Sequence, residues 1–205
     1  MTLQNVFLTI ASKFSDDEKL KNTLWSELEK QYSSPRRHYH NLVHLENMIT
    51  ELDAVKKQIA NYDVILFSVF YHDVIYNATA GDNEEKSAEL ARDRLAMLNA
   101  DADFSTAVER QIIATKKHEK NNNADTNFLL DADLSVLGKD WETYREYAAR
   151  IRKEYAIYPD ILYKPGRKKV LQHFLTLETI YKTDEFKQKY EQQARKNLAA
   201  EAESL

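Results

Sequence analysis

Residues 63–77 read Asp-Val-Ile-Leu-Phe-Ser-Val-Phe-Tyr-His-Asp-Val-Ile-Tyr-Asn, and from Val64 to Tyr76 nearly every residue is apolar. The exceptions are Ser68 and the adjacent pair His72–Asp73. Such a segment belongs in the middle of a core, so the rest of the chain must pack around it. It also carries an imidazole and a carboxylate to a place where Leu and Ala would be more stable. Burying them is costly unless they are paired or hold a metal ion.

The apolar run is about a dozen residues long and interrupted by His-Asp, too short and too polar to span a bilayer. Three glycines and three prolines in 205 residues leave few of the tight turns that an all-β fold needs. The chain therefore reads as an all-α bundle of about eight to ten helices with short connections. No composition shift divides it. One domain is expected over 1–205, with N-terminal helices in 3–32, a metal-site core over about 36–138 and C-terminal helices in 141–202.

In order, the pattern predicts a helix over 3–14. A second is capped by Ser15-Asp16-Asp17 and buries Leu20, Leu24, Trp25 and Leu28. A third starts within Arg36–Leu45 and runs to about Ala60. After the 63–76 helix, a polar loop leads to an Asp82/Glu85 capping box and a helix to about Asn99. Helices over 104–117 and 126–137 follow, the latter ended by Gly138. The last are 141–157, 168–181 after a loop at Tyr158–Gly166, and a polar helix from a Thr183–Asp184 cap to about 202.

The chain is 43% hydrophobic and 30% charged, as soluble globular proteins are. Its net charge of −4 argues against a nucleic-acid polymer as partner. Cysteine is absent, which excludes disulfides and thiolate zinc sites. No basic residue precedes Lys13, so no signal peptide is expected, and a cytoplasmic location without membrane attachment is the natural reading.

Three of the six histidines lie at 38, 40 and 44. His40 and His44 share a helix face, and alone they fit an exposed helix start equally well. His72–Asp73 alone fits a buried imidazole–carboxylate hydrogen bond. Yet Leu129-Leu130-Asp131-Ala132-Asp133-Leu134 repeats the anomaly, placing two carboxylates in another apolar helix. Three separate segments thus bring His or Asp inward, and one metal centre would account for all of them.

His44, His72–Asp73 and a distant Asp in a helical chain resemble the H…HD…D signature of the HD-domain metal-dependent phosphohydrolases. Tyr39-His40-Asn41-Leu42-Val43-His44 is similar to the corresponding stretch of the cyclic-nucleotide phosphodiesterases, a branch of that superfamily. A bacterial group of predicted HD phosphohydrolases is resembled more widely, over about residues 30–200. The shared runs are His-Asn-x-x-His-Leu, Asn-Glu-x-x-Ser-Ala at 83–88, Asp-Ala-Asp-Leu-Ser-x-Leu-Gly at 131–138, Ile-Arg-x-Glu-Tyr at 151–155, Gly-Arg at 166–167 and Ala-Arg-x-Asn-Leu at 194–198.

The resemblance implies a helical HD-type domain in which His44, His72 and Asp73 are metal ligands; the last ligand is Asp131 or Asp133 on the residues alone, and the superfamily's Ala-Asp-Leu-Ser or Asp-x-Asp pattern points to Asp133. Asp131 would be a supporting or substrate-side carboxylate. Two imidazoles and two carboxylates suit Mn, Fe, Co, Ni or Zn as a divalent ion, with Mg less favoured. Only His118 lies between His-Asp and the last Asp, which implies one ion rather than two. The implied activity is metal-assisted hydrolysis of a small phosphorylated substrate, commonly a nucleotide, by a metal-activated water. His40 would protonate the leaving group and Glu84 would orient the water, unless they are a surface histidine and a helix-start acid. His118, Arg152, Arg167 and Lys168 are candidate phosphate binders, against the alternative of a solvated face; Arg150 joins them less strongly. His38 and His173 are assigned structural roles. A non-catalytic metal- or nucleotide-binding sensing module on the same fold is the alternative function, and an HD-type di-iron oxygenase would need more inward histidines.

Overall fold

The hub is the segment singled out above. In a computed structural model describing residues 2–205, Tyr62–Tyr71 forms a helix in which every residue from Val64 to Tyr71 is buried. The helices in chain order are α1 (Leu3–Ala11), α2 (Glu18–Tyr32), α3 (Leu42–Val55), α4 (Tyr62–Tyr71), α5 (Asn83–Met97), α6 (Ala102–Ala114), α7 (Ala124–Asp133), α8 (Trp141–Glu154) and α9 (Asp160–Thr176). The last helix is unbroken but changes pitch: α10 (Asp184–Phe186), a π-helical stretch (Lys187–Glu191) and α11 (Gln192–Ser204). Counting those three as one gives ten helices, and no strand occurs among the described residues. None of the helices is long and apolar enough to cross a membrane.

Helix α4 packs against α1, α3, α5, α6 and α7. Its aromatic rings mesh edge-to-face with those of the N-terminal helices: Phe7 lies 5.3 Å from Phe70 and 6.0 Å from Phe67. Such pairs are worth about 0.5–1.5 kcal/mol beyond the area they bury. Short polar side chains start most of the surrounding helices, as the sequence predicts. Asp17, Asn41, Asp101, Asn123 and Asp140 each accept a backbone N–H of the following turn.

Both ends of α4 are held by buried charged residues distant in sequence. At its start the Asp125 carboxylate accepts the N–H groups of Ala60 and Asn61, at 2.9 and 2.7 Å. At its end Arg37 donates to the carbonyls of Asp73 and Val74, at 2.6 and 2.7 Å, and to that of His40 at 3.1 Å. The Asp73 and Val74 carbonyls belong to the turn that follows the helix, and the guanidinium supplies the partner that buried carbonyls need.

Four local expectations need correction. The core helix stops at Tyr71, not at 76, and His72–Ile75 form a turn secured by Arg37 and by the Ser87 hydroxyl at Ile75. Asp82 makes no capping bond; it pairs with Lys86, and Asn83 closes the loop on Asn77. The loop expected at 158–166 is helical, because Pro159 opens α9 and Pro165 is carried inside it. Thr183 does not cap the last helix with its side chain, which donates to Asp131 instead.

Gly138 ends its segment for a reason other than a left-handed cap, since its φ is not positive. A Cβ there would come within 2.5 Å of Tyr190 Cβ and 2.7 Å of the Tyr190 carbonyl. The bare backbone at 138 is what lets the π-helical stretch pack so closely.

Candidate metal centre

The end of α4, the first turns of α3 and the end of α7 meet at one point. His44 Nε2 lies 3.3 Å from His72 Nε2 and 3.2 Å from Asp133 Oδ1, and His72 Nε2 lies 3.9 Å from the same oxygen. These three residues form a cluster able to hold a metal ion. Asp73 flanks it, with Oδ2 at 3.2 Å from His72 Nε2 and 3.9 Å from His40 Nε2. His44 and His72 are buried, while Asp133 and Asp73 keep a small exposed edge.

Two imidazoles and a carboxylate are a donor set that a divalent metal ion could use. His72 Nδ1 donates to the Val69 carbonyl at 2.9 Å, which fixes the proton there and leaves the Nε2 lone pair facing the cluster. Donors bound at about 2.0–2.2 Å to one ion sit roughly 3 Å from each other, close to the separations found. Without an ion the groups must neutralise one another. Burial opposes charge on His72, but the Asp73 carboxylate, with Asp133 and the Val69 carbonyl, outweighs it and raises the imidazole to about 9. Burial likewise opposes ionisation of Asp73, and the neighbouring His72 and His40 still hold its carboxyl well below the usual range. For His44 burial wins, and its pKa falls.

Around the cluster stand residues in supporting positions. His118, at φ 51° just past α6, donates from Nε2 to Asp133 Oδ2 at 2.8 Å. A left-handed backbone is costly for a side chain of this kind, and here it aims the ring at a ligand carboxylate. His40 is gripped from behind. Its Nδ1 donates to Glu154 Oε2 at 2.6 Å, and the N–H groups of Tyr39 and His40 both donate to Oε1. Tyr76 donates to the same carboxylate at 2.9 Å, and its ring lies 4.4 Å from that of His40. Burial works against charge on His40, but Asp73, Glu154 and Asp133 together raise its pKa.

A cleft of about 630 Å³ opens on this group, lined near the cluster by Tyr39, His40, Glu84, Lys116, His118 and Asp133. Glu84, in the first turn of α5, lines the same cleft. Lys116 Nζ donates to the Gly81 carbonyl at 2.7 Å and pairs with Glu85.

Other expected residues are elsewhere. Asp131 is fully buried on the opposite side of α7, where its carboxylate accepts the N–H groups of Lys182 and Thr183 and the Thr183 hydroxyl. It anchors the strand of chain before α10 and is not a substrate-side group. Arg152 is engaged by Asp160 at 2.7 Å and by the carbonyls of Tyr155 and Tyr158, so it locks the α8–α9 connection. Lys168 is exposed and off the cleft, as are His38 and His173. Arg167 does line the cleft, but its guanidinium forms a two-point pair with Glu201, at 2.7 and 2.9 Å.

Two residues went unassigned in the sequence reading. Glu154 sits within the Ile-Arg-x-Glu-Tyr run already noted, and that run was the available signal. Arg37 stands beside the His38–His44 stretch, but nothing local marks it as buried. No protein-family model, curated protein or solved structure matches this chain. Fold and site together define an all-α protein with a His–His–Asp cluster suited to a divalent metal.

Proposed function

We propose that this protein is an HD-type metal-dependent phosphohydrolase acting on a small phosphoester, for which the motif resemblance implies a nucleotide. The observation that carries this reading is the convergence of His44, His72 and Asp133, with Asp73 beside them, next to a cleft that Asp133 lines together with His40 and His118. A divalent ion held by those four residues would polarise a phosphoryl oxygen and lower the pKa of a water.

The remaining work falls to the chain's own groups. His118 fixes the orientation of the Asp133 carboxylate through its 2.8 Å bond. His40, anchored by Glu154 through Nδ1, keeps Nε2 toward Asp73 and the cleft, where it can donate a proton to a leaving oxygen. Glu154 makes this donor stronger in supply, because its negative charge favours the protonated ring. Glu84 is the cleft carboxylate available to orient an attacking water, and Lys116 brings positive charge to the same wall.

The test is metal content by elemental mass spectrometry after loading with Mn²⁺ or Co²⁺, followed by phosphate release from a panel of nucleotides and other phosphoesters. About one metal per chain is expected, with metal and turnover both lost in His72→Ala and Asp133→Ala. A bound metal without turnover on any phosphoester would turn the reading to a sensing module. Failure to bind any divalent metal would overturn the site itself.

A further inference from the structure

The cleft has a second half that the metal chemistry does not use. Tyr147 and Ile151 on α8 and Tyr155 at its C-cap recur every four residues, and on α9, Tyr163, Arg167, Val170 and Phe174 follow a helical spacing of three and four. Each helix therefore turns one face to the cleft. The rings run on from the cluster without a break: Tyr39 lies 4.9 Å from His44, and Tyr147 lies 4.7 Å from Tyr39. At the far rim Leu162 is 62% exposed and Val170 46%, large apolar side chains that no part of the protein covers.

The wall is dominated by aromatic rings, Tyr147, Tyr155, Tyr158, Tyr163 and Phe174, and its polar groups are chiefly the phenolic hydroxyls at their edges. Among the described lining residues there is no asparagine, glutamine or serine. Arg167 is taken by Glu201, and the Thr115 hydroxyl donates to the Ile112 carbonyl. A flat apolar group laid against these rings would bury its face and part of the exposed rim, whereas a small aliphatic group would cover much less of them. The volume, about 630 Å³, is well beyond what a phosphate fills and falls in the range of clefts that enclose whole small molecules. Gly166 leaves a gap in the wall, since a Cβ there would meet no heavy atom within 4 Å.

We propose that this half of the cleft receives the organic group of the substrate by its flat apolar face, so that the phosphoester carries an aryl or similarly flat, apolar group. Small aliphatic groups would be discriminated against. The inference rests on the phosphoester reading of the metal centre and adds the substrate class to it.

Titration calorimetry on the Mn²⁺-loaded protein with phenylphosphonate and methylphosphonate tests it, because the two probes share the anion, cannot be hydrolysed and differ only in the organic group. The phenyl probe is expected to bind about tenfold more tightly. Gly166→Leu places a bulky side chain at a cleft-lining position where the Cβ itself meets no heavy atom within 4 Å, and should reduce that preference to about twofold or less. Its melting temperature, at or above wild type because leucine favours a helix over glycine, shows that the variant folds. Leu162→Asp, an exchange at an exposed position, should weaken the phenyl probe alone. Equal affinities for both probes in the wild type would overturn this inference and leave the phosphoester reading intact. A preference that survives both substitutions would also overturn it. Metal-loaded protein that binds neither probe would overturn the phosphoester reading and this inference with it.

Discussion

Arg37 offers the sharpest test of how the fold holds its metal ligands. It is only 9% exposed, and its guanidinium lies 4.8 Å from the Tyr32 ring and 5.5 Å from that of Tyr76. From there it donates to the carbonyls of His40, Asp73 and Val74. Arg37→Met keeps the apolar stem between the two rings and removes every donor. Each buried acceptor left without a partner costs about 1–3 kcal/mol. Only the Val74 bond is fully buried, so water can restore part of the loss at the other two carbonyls. A total of about 3–5 kcal/mol follows. For a chain of this size that lowers the melting temperature by about 6–20 °C. The released turn contains His72 and Asp73, so metal affinity should fall by about 10–100-fold, the usual effect of losing support behind a ligand. Calorimetric melts of the metal-free protein and metal titration of the same sample measure both. A melt within about 1 °C of wild type, with metal affinity intact, would refute the claim that Arg37 secures the ligand turn.

Other outcomes follow from the same structure. The Glu154 carboxyl is held down to about 2 from an ordinary 4.5, the His40 hydrogen bond and charge outweighing burial. A depressed pKa stabilises the fold fully above the unfolded value, and that stabilisation is lost as pH falls toward about 2; the gap corresponds to about 3 kcal/mol. Glu154→Gln should therefore be less stable to urea at neutral pH by up to about that amount, with the difference from wild type shrinking on acidification below about pH 4.5. A difference constant across that range would count against the assignment. Gly138→Ala must push the π-helical stretch away from its 2.5 Å approach, and overpacking of this kind costs about 1–3 kcal/mol or a melting drop of about 2–12 °C. An unchanged melt would show that the close approach is not real.

By itself the sequence determined the fold class and marked the places where polar groups interrupt the core. The 63–76 run demanded burial, the scarcity of glycine and proline demanded helices, and a His-Asp pair inside that run demanded compensation. These are local costs, visible wherever a polar group interrupts an apolar pattern. The residues alone left the last ligand open between Asp131 and Asp133, and only the resemblance favoured Asp133. Packing separates the two: Asp131 meets the chain at Lys182–Thr183, and Asp133 meets His44 and His118. The same holds for the charged residues that hold or line the site. Glu154 reaches across from α8 to His40, Arg37 supports a turn far along the chain, and Arg152 and Arg167 are bound to carboxylates rather than open to an anion. A cation and a carboxylate carry no mark of which distant partner they will meet. Those pairings arise only when the helices close around α4, because it is burial, and not sequence spacing, that leaves each charge a single available partner.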